Sequence, residues 1–351
     1  LPSAKYAFMS AYLKGAESKV LTSEHIDRVS RMSVVPDVAS NVREVLEIIK
    51  DTDAGRYLEE ALVKTFDDSD RYLWYYLSEC LERLGRLRLV PDEVRRVLKA
   101  YTVKYDVINI KAALQTIAAG KKASLVPVGI IHTQGLLDEL SRAEGVSDVI
   151  GVLRECRLGN YADILTEYSA EDKKSKFLTE AKLDGAYHDN LLKVSRNIPD
   201  GALLTKAFSI IIDMTNLALV SRALVEEIGS LASEVVIKGG YMISDRVARE
   251  LLEHKLADLP GALGITQYRE IAEEIVAGYG RTKSITVVEE TVDRHRFRLL
   301  REILSPRVLT PLVLAWYLIV KELEVRNLRL ILKATFDAVP VEEIREYLVS
   351  A

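Results

Sequence analysis

Asp106-Val107-Ile108-Asn109-Ile110 is the stretch whose reading decides the fold. It pairs an acid with an asparagine three residues on, inside an apolar run. The string returns as Asp213-Met214-Thr215-Asn216-Leu217 and again as Glu324-Val325-Arg326-Asn327-Leu328. Residues three apart share a helix face. Each string therefore predicts a helix that carries a carboxylate and a carboxamide on a face of otherwise apolar side chains. A buried pair of this kind must find hydrogen-bond partners. The expected role of Asp106, Asn109, Asp213, Asn216, Glu324 and Asn327 is a polar clamp, within one helical unit or between neighbouring ones.

Other landmarks keep the same order and nearly the same period. Asp37-Val38 returns as Asp148-Val149 and then as Asp258-Leu259. Leu183-Asp184 parallels Val292-Asp293, with a looser first version in Phe66 to Tyr72. A tyrosine opens an amphipathic segment at Tyr57, Tyr161 and Tyr268. The period of roughly 110 residues is far longer than the 20–50 residues of solenoid repeats, and each copy is long enough for a small helical domain. The chain reads as three all-α copies, 1–133, 134–243 and 244–351, with approximate boundaries. Three such units pack either around a pseudo-threefold axis, leaving a central depression, or in a linear row.

Local patterning agrees. Val42, Val45, Leu46 and Ile49 recur at helical spacing, as do Ile271, Ile275 and Val276, and near the end Ile344, Leu348 and Val349. Ser124 to Ile131 and Glu234 to Ile237 look strand-like but lack hairpin turns. Val308 to Val320 is an uncharged run of 13 residues, short of the roughly 20 that cross a bilayer. It predicts a buried helix with Pro311 in its first turn and a protein without an integral membrane span. The chain opens on Leu1-Pro2-Ser3, as a trimmed sequence does, without a basic-then-apolar targeting pattern.

The chain has 351 residues, with Lys+Arg 48 against Asp+Glu 52, a net charge of −4. That balance supplies no global attraction for nucleic acid. Two cysteines, Cys80 and Cys156, exclude a disulfide framework and a multi-thiolate zinc site. Asp67, Asp68 and Asp70 are the best acidic cluster, but their spacing does not match DDxxD and no second cluster follows, so a solvated helix start is preferred to a magnesium site. Gly278 to Ser284 lacks the glycine that a phosphate loop needs before Lys283. No histidine pair has metal-ligand spacing and no GxSxG occurs. Neither a catalytic site, a metal nor a cofactor is expected.

The recurring string, taken with both ends of the chain, resembles the C subunit of archaeal and vacuolar-type rotary ATPases, known as the d subunit in the eukaryotic vacuolar enzyme. Ala11 to Thr22 (AYLKGAESKVLT) is similar to that family's opening helix, Tyr105 to Lys111 to its first D-x-x-N-[IL] helix, and Lys321 to Leu332 (KELEVRNLRLIL) to its KE-x-E-x-x-N-LR segment. The resemblance implies a funnel-shaped, three-lobed, all-helical, non-catalytic subunit. Its partners would be the D and F subunits of the central stalk and the membrane proteolipid (c/K) ring, with neither nucleic acid nor a small-molecule substrate. It implies a peripheral membrane protein on the cytoplasmic face that carries torque for ATP-linked ion transport. Arg294, Arg296, Arg298, Arg301 and Glu302 would face ring or stalk, or form a solvated helix face. Two competing classes are a general helical protein-binding scaffold and a magnesium-dependent helical enzyme built on Asp67, Asp68 and Asp70.

Overall fold

A computed structural model describes residues 5–120, 124–170, 176–304 and 309–349, without the side chains of residues 303 and 304. Among the described residues the regular structure is entirely helical, as expected. The helices are α1 (Ala7–Glu17), α2 (Ser23–Ser30), α3 (Val38–Ile49), α4 (Asp53–Glu60), α5 (Phe66–Arg86), α6 (Asp92–Ala119), α7 (Ile130–Thr133), α8 (Leu137–Ser141), α9 (Val146–Glu155) and α10 (Gly159–Ala170). They continue as α11 (Lys176–Arg196), α12 (Ala202–Val225), α13 (Gly229–Glu234), α14 (Asp245–Leu251), α15 (Leu259–Ala262), α16 (Tyr268–Thr282), α17 (Thr286–Leu304) and α18 (Leu312–Phe336). Short 3-10 turns cover Leu256–Asp258 and Val341–Tyr347.

Helix starts follow local chemistry. The Thr65 hydroxyl accepts the Asp68 amide at 3.1 Å to cap α5, and Arg83 and Arg86 close its last turn. The spacing of Val42, Val45 and Ile49 places all three on the buried face of α3. The 13-residue uncharged run becomes the start of α18, where Pro311 is the N-cap and every residue from Leu312 to Lys321 is buried. Val308 lies outside the described residues.

The landmark residues recur at matching places in the helix order. Asp37 is the N-cap residue of α3, Asp148 lies in the first turn of α9, and Asp258 immediately precedes α15. Each of the long helices α6, α12 and α18 is followed by a residue of positive φ, namely Gly120 (64°), Glu227 (56°) and Ala338 (54°). These are left-handed stops of the kind that end helices. Each stop stands the same number of positions beyond the asparagine of its own helix, Asn109, Asn216 or Asn327.

Two compact units contain these helices. One comprises Leu1–Leu98, Val126–Val128 and Leu299–Ala351. In it, α18 packs against α1, α3 and α5, and the terminal 3-10 turn covers α18 and α2. The other comprises Lys99–Leu125 and Gly129–Arg298. Its central helix is α12, which packs against α11, α13 and α14. By length and composition α12 is apolar enough to cross a membrane, with a mean hydropathy of 1.6 over its best window, and 61% of that window is buried inside the protein. A search for uncharged runs misses it, because Lys206, Asp213 and Arg222 interrupt it.

Two local readings change. Ser124 to Ile131 and Glu234 to Ile237 form no strand among the described residues; the polar side chains that serve their backbone are described below. The final apolar pattern around Ile344 forms a 3-10 turn, not an α-helix; Leu348 is extended and Val349 follows outside any regular element.

Candidate functional site: three buried acid clamps

Asp106, Asp213 and Glu324 sit inside α6, α12 and α18, at 0%, 0% and 2% exposure. Within a helix the neighbouring amides are already bonded to carbonyls four residues back, so an interior carboxylate must find donors elsewhere. Here they come chiefly from backbone at the opening of another segment.

In the first clamp the Ile130 amide donates to Oδ2 of Asp106 and the Ile131 amide to Oδ1, both at 2.9 Å. Gly129 makes this approach possible. Its φ is +106°, and a Cβ there would lie 2.5 Å from Asp106 Oδ1. The second clamp repeats the arrangement. The Met242 and Ile243 amides donate to Oδ2 and Oδ1 of Asp213, each at 2.9 Å, and the Tyr268 hydroxyl adds a third bond to Oδ2 at 2.6 Å. A Cβ on Gly240 would again lie 2.5 Å from the carboxylate.

The third clamp reaches back 303 residues, where the Leu21 amide donates to Glu324 Oε1 at 2.9 Å. Oε2 accepts from the Tyr76 hydroxyl and from Lys321 Nζ, each at 3.0 Å, and Lys321 also donates to the Tyr76 oxygen at 2.5 Å. Among the described residues, this acid alone of the three is matched by a buried cation, Lys321 being 1% exposed. The clamped positions Leu21, Ile131 and Ile243 recur at nearly the period of the acids themselves.

The asparagines act one helical turn further on. Asn216 accepts the Ile237 amide at 3.0 Å and donates to the Ile237 carbonyl at 2.8 Å, as a neighbouring strand would. Asn327 does the same to Val349, accepting at 3.3 Å and donating at 2.7 Å. Asn109 is fully buried on the matching face of α6. These side chains explain why apolar, strand-like segments remain single: their backbone groups bond to buried Asp and Asn side chains instead of to a sheet.

Burial pushes the Asp106 carboxyl up to about 7, against the pull of its two amide donors. Burial also raises Asp213, opposed by the Tyr268 hydroxyl and the loop amides. Tyr268 is raised by its own burial and by Asp213 beside it. The landmark tyrosines diverge. Tyr57 donates to Glu79 at 2.9 Å, whereas the buried Tyr161 hydroxyl has no partner among the described residues.

The raised Asp106 value makes a prediction. An unfolded Asp titrates near about 3.9, so the folded state binds this proton more tightly. The resulting stabilisation is fully present below about pH 4 and is lost as pH rises through about 7. Its upper limit is roughly 4 kcal/mol, from about three pKa units at 1.36 kcal/mol each. Urea unfolding of the wild type and Asp106→Asn, followed between pH 4 and 8, is expected to show this slope in the wild type and a smaller one in the variant. Parallel pH profiles would refute the assignment.

The other candidates do not converge. Asp67 and Asp68 occupy the first turn of α5, Asp68 pairs with Arg71 at 3.0 Å, and Asp70 pairs with Arg329. Among the described residues no three His, Cys, Asp or Glu side chains come together as a metal site would require. Gly278 to Thr282 is the end of α16, and Lys283 is its left-handed cap at φ +55°. A helix C-terminus presents carbonyls and negative polarity, the wrong sign for a phosphate. Of the α17 arginines, Arg294 pairs with Glu274 at 2.6 Å, Arg296 with Asp293 at 3.2 Å and Arg298 with Glu270 at 3.5 Å. Arg301 and Glu302 are exposed.

Sequence periodicity found the acids and asparagines but not the amides they hold. The usable signal was a glycine ahead of an apolar pair, Gly129 before Ile130-Ile131 and Gly240 shortly before Met242-Ile243.

Comparison with known proteins gives a consistent result. Residues 9–347 match the family described as ATP synthase (C/AC39) subunit. The chain is 26% identical to the C subunit of the A-type ATP synthase of Methanocaldococcus jannaschii, covering 99% of this chain and 87% of that protein. It is 24% identical to the protein of the same name from Methanosphaera stadtmanae, over 98% of this chain and 88% of the relative. The Methanosarcina acetivorans counterpart is 25% identical, over 94% and 89%.

Proposed function

The chain belongs to the ATP synthase (C/AC39) subunit family, and from that membership we propose that it is a non-catalytic coupling subunit of an A-type or V-type rotary ATPase. It joins the D and F subunits of the central stalk to the membrane proteolipid ring, as a peripheral protein on the cytoplasmic face. Torque passes through it between ATP turnover in the soluble head and ion flow through the ring.

One observation carries the mechanical part of this reading. The acids at 106, 213 and 324 hold backbone at 131, 243 and 21, so the last clamp returns from the end of the chain to its beginning. The first two of these acid-to-backbone clamps each lie within one of three similar helical copies, 1–133, 134–243 and 244–351, and the third ties the last copy to the first, which favours closure around a pseudo-threefold axis over a linear row. Buried polar networks with every member bonded resist deformation, which a torque carrier needs.

The test is binding to two purified partners, the D–F stalk and a detergent-solubilised proteolipid ring, singly and together. The expected result is a ternary complex in which one copy of the chain bridges stalk and ring. A folded, helical chain that binds neither would overturn the coupling role and favour a general scaffold.

A further inference from the structure

Beyond the clamps, one unit contains a cavity of about 260 Å³. Its walls come from α6, α11, α12, the segment after α13 and the start of α17. Ala181 and Ala218 make room for it, and Phe177, Leu219, Val235 and Val288 give it an apolar lining. The volume lies just below the roughly 300–1,000 Å³ of drug-sized ligand sites. It suits one slender chain better than a nucleotide.

The charged groups around the cavity decide which chain. Lys111 is neutralised by Asp184, its Nζ lying 2.5 and 2.6 Å from the two carboxylate oxygens. Arg222 donates to Glu226 at 3.0 Å, and its guanidinium lies 5.7 Å from the centre of the Phe177 ring. Both lining cations are therefore committed. Besides Asp184, two lining carboxylates are not. Among the described residues Glu180 has only the exposed Lys176 at 3.5 Å, and Glu289 makes no ion pair or hydrogen bond. An apolar slot with a net acidic rim favours an apolar stem ending in a positive head, and disfavours the same stem ending in a carboxylate.

We infer that this cavity binds a primary alkylammonium group. The group has two possible sources, a free amine or the side chain of a lysine on another protein of the complex. The chemistry is shared: methylenes lie along Ala181, Ala218 and Leu219, and the ammonium meets Glu180 and Glu289.

The test uses the full chain with n-hexylammonium, n-hexanoate and 1-hexanol as probes, followed by calorimetry and ligand-observed NMR. Hexylammonium is expected to bind with a dissociation constant on the order of 1 mM, more tightly than hexanoate. Glu180→Gln combined with Glu289→Gln should weaken hexylammonium roughly tenfold and leave hexanol unchanged. Ala218→Phe should abolish binding of both by filling the slot, with the melting temperature confirming that it folds. The inference is overturned if hexanoate binds as tightly as hexylammonium, if the double Gln variant binds unchanged, or if hexylammonium does not bind. Repeating the titration on the chain assembled with stalk and ring separates the sources. Loss of binding there identifies a partner lysine, and retention identifies a free amine.

Discussion

Glu324→Ala is expected to lower the unfolding free energy by about 3–5 kcal/mol, because it strands a buried cation. Lys321 is 1% exposed and has Glu324 and the Tyr76 hydroxyl as its partners. Removing the carboxylate leaves the ammonium with a phenol oxygen alone and also orphans the Leu21 amide. Replacing both charged residues by methionine removes the stranded charge along with its partner. The pair Lys321→Met and Glu324→Met should therefore cost clearly less than the sum of the single changes; what remains is about 1–3 kcal/mol each for the Leu21 amide left unpaired and the Tyr76 hydroxyl stripped of both charged partners. A double-mutant cycle by urea unfolding measures the difference. Additivity within about 0.5 kcal/mol would mean that the two groups do not act as a buried pair. Amide hydrogen exchange at Leu21 gives a second reading, since losing Glu324 should expose that amide even where global stability is restored by added osmolyte.

The same clamp shows how far the sequence could be read. An acid and an asparagine one helical turn apart, inside apolar residues, are enough to predict a helix, a buried face and a need for partners. They do not say whether the partner is another helix or a stretch of loop backbone. Carboxylates commonly accept amides at helix starts, where a neighbouring Ser or Thr signals the cap. Here the accepted amides lie 25, 30 and 303 residues away in sequence. No local pattern encodes such distances. The strand-like reading of Ser124 to Ile131 failed for a related reason. A short apolar run reports burial, but here Ile130 and Ile131 open α7 and their amides go to Asp106 and not to a sheet. The terminal segment was misread because Ile344, Leu348 and Val349 keep helical spacing, while the Val349 backbone is held by Asn327 and cannot continue a helix. The cavity beside Lys111 was not legible either, since it depends on two alanines from α11 and α12 facing the same space.

Asp213→Ala should be the most damaging single change in the α12 unit, at about 4 kcal/mol or more, because an orphaned buried donor costs roughly 1–3 kcal/mol and three are orphaned together. The three are the Met242 and Ile243 amides and the Tyr268 hydroxyl. Conservative variants separate the contributions. Tyr268→Phe removes one donor and leaves the carboxylate two amides, so it should cost about 1–2 kcal/mol. Asp213→Asn retains one acceptor oxygen but turns an NH2 toward a backbone N–H, so its cost should fall between those of the other two. Gly240→Ala attacks the same clamp from the opposite side. Its Cβ would lie 2.5 Å from the carboxylate and 2.2 Å from the Ile243 carbonyl oxygen, so the loop must withdraw. Because that withdrawal breaks the bonds that Asp213→Ala breaks, combining the two should cost clearly less than the sum, although the clash with the Ile243 carbonyl persists without the carboxylate. Calorimetric unfolding of the single and double variants tests this. Full additivity would mean that Gly240 is required for some reason other than the approach of its loop to Asp213.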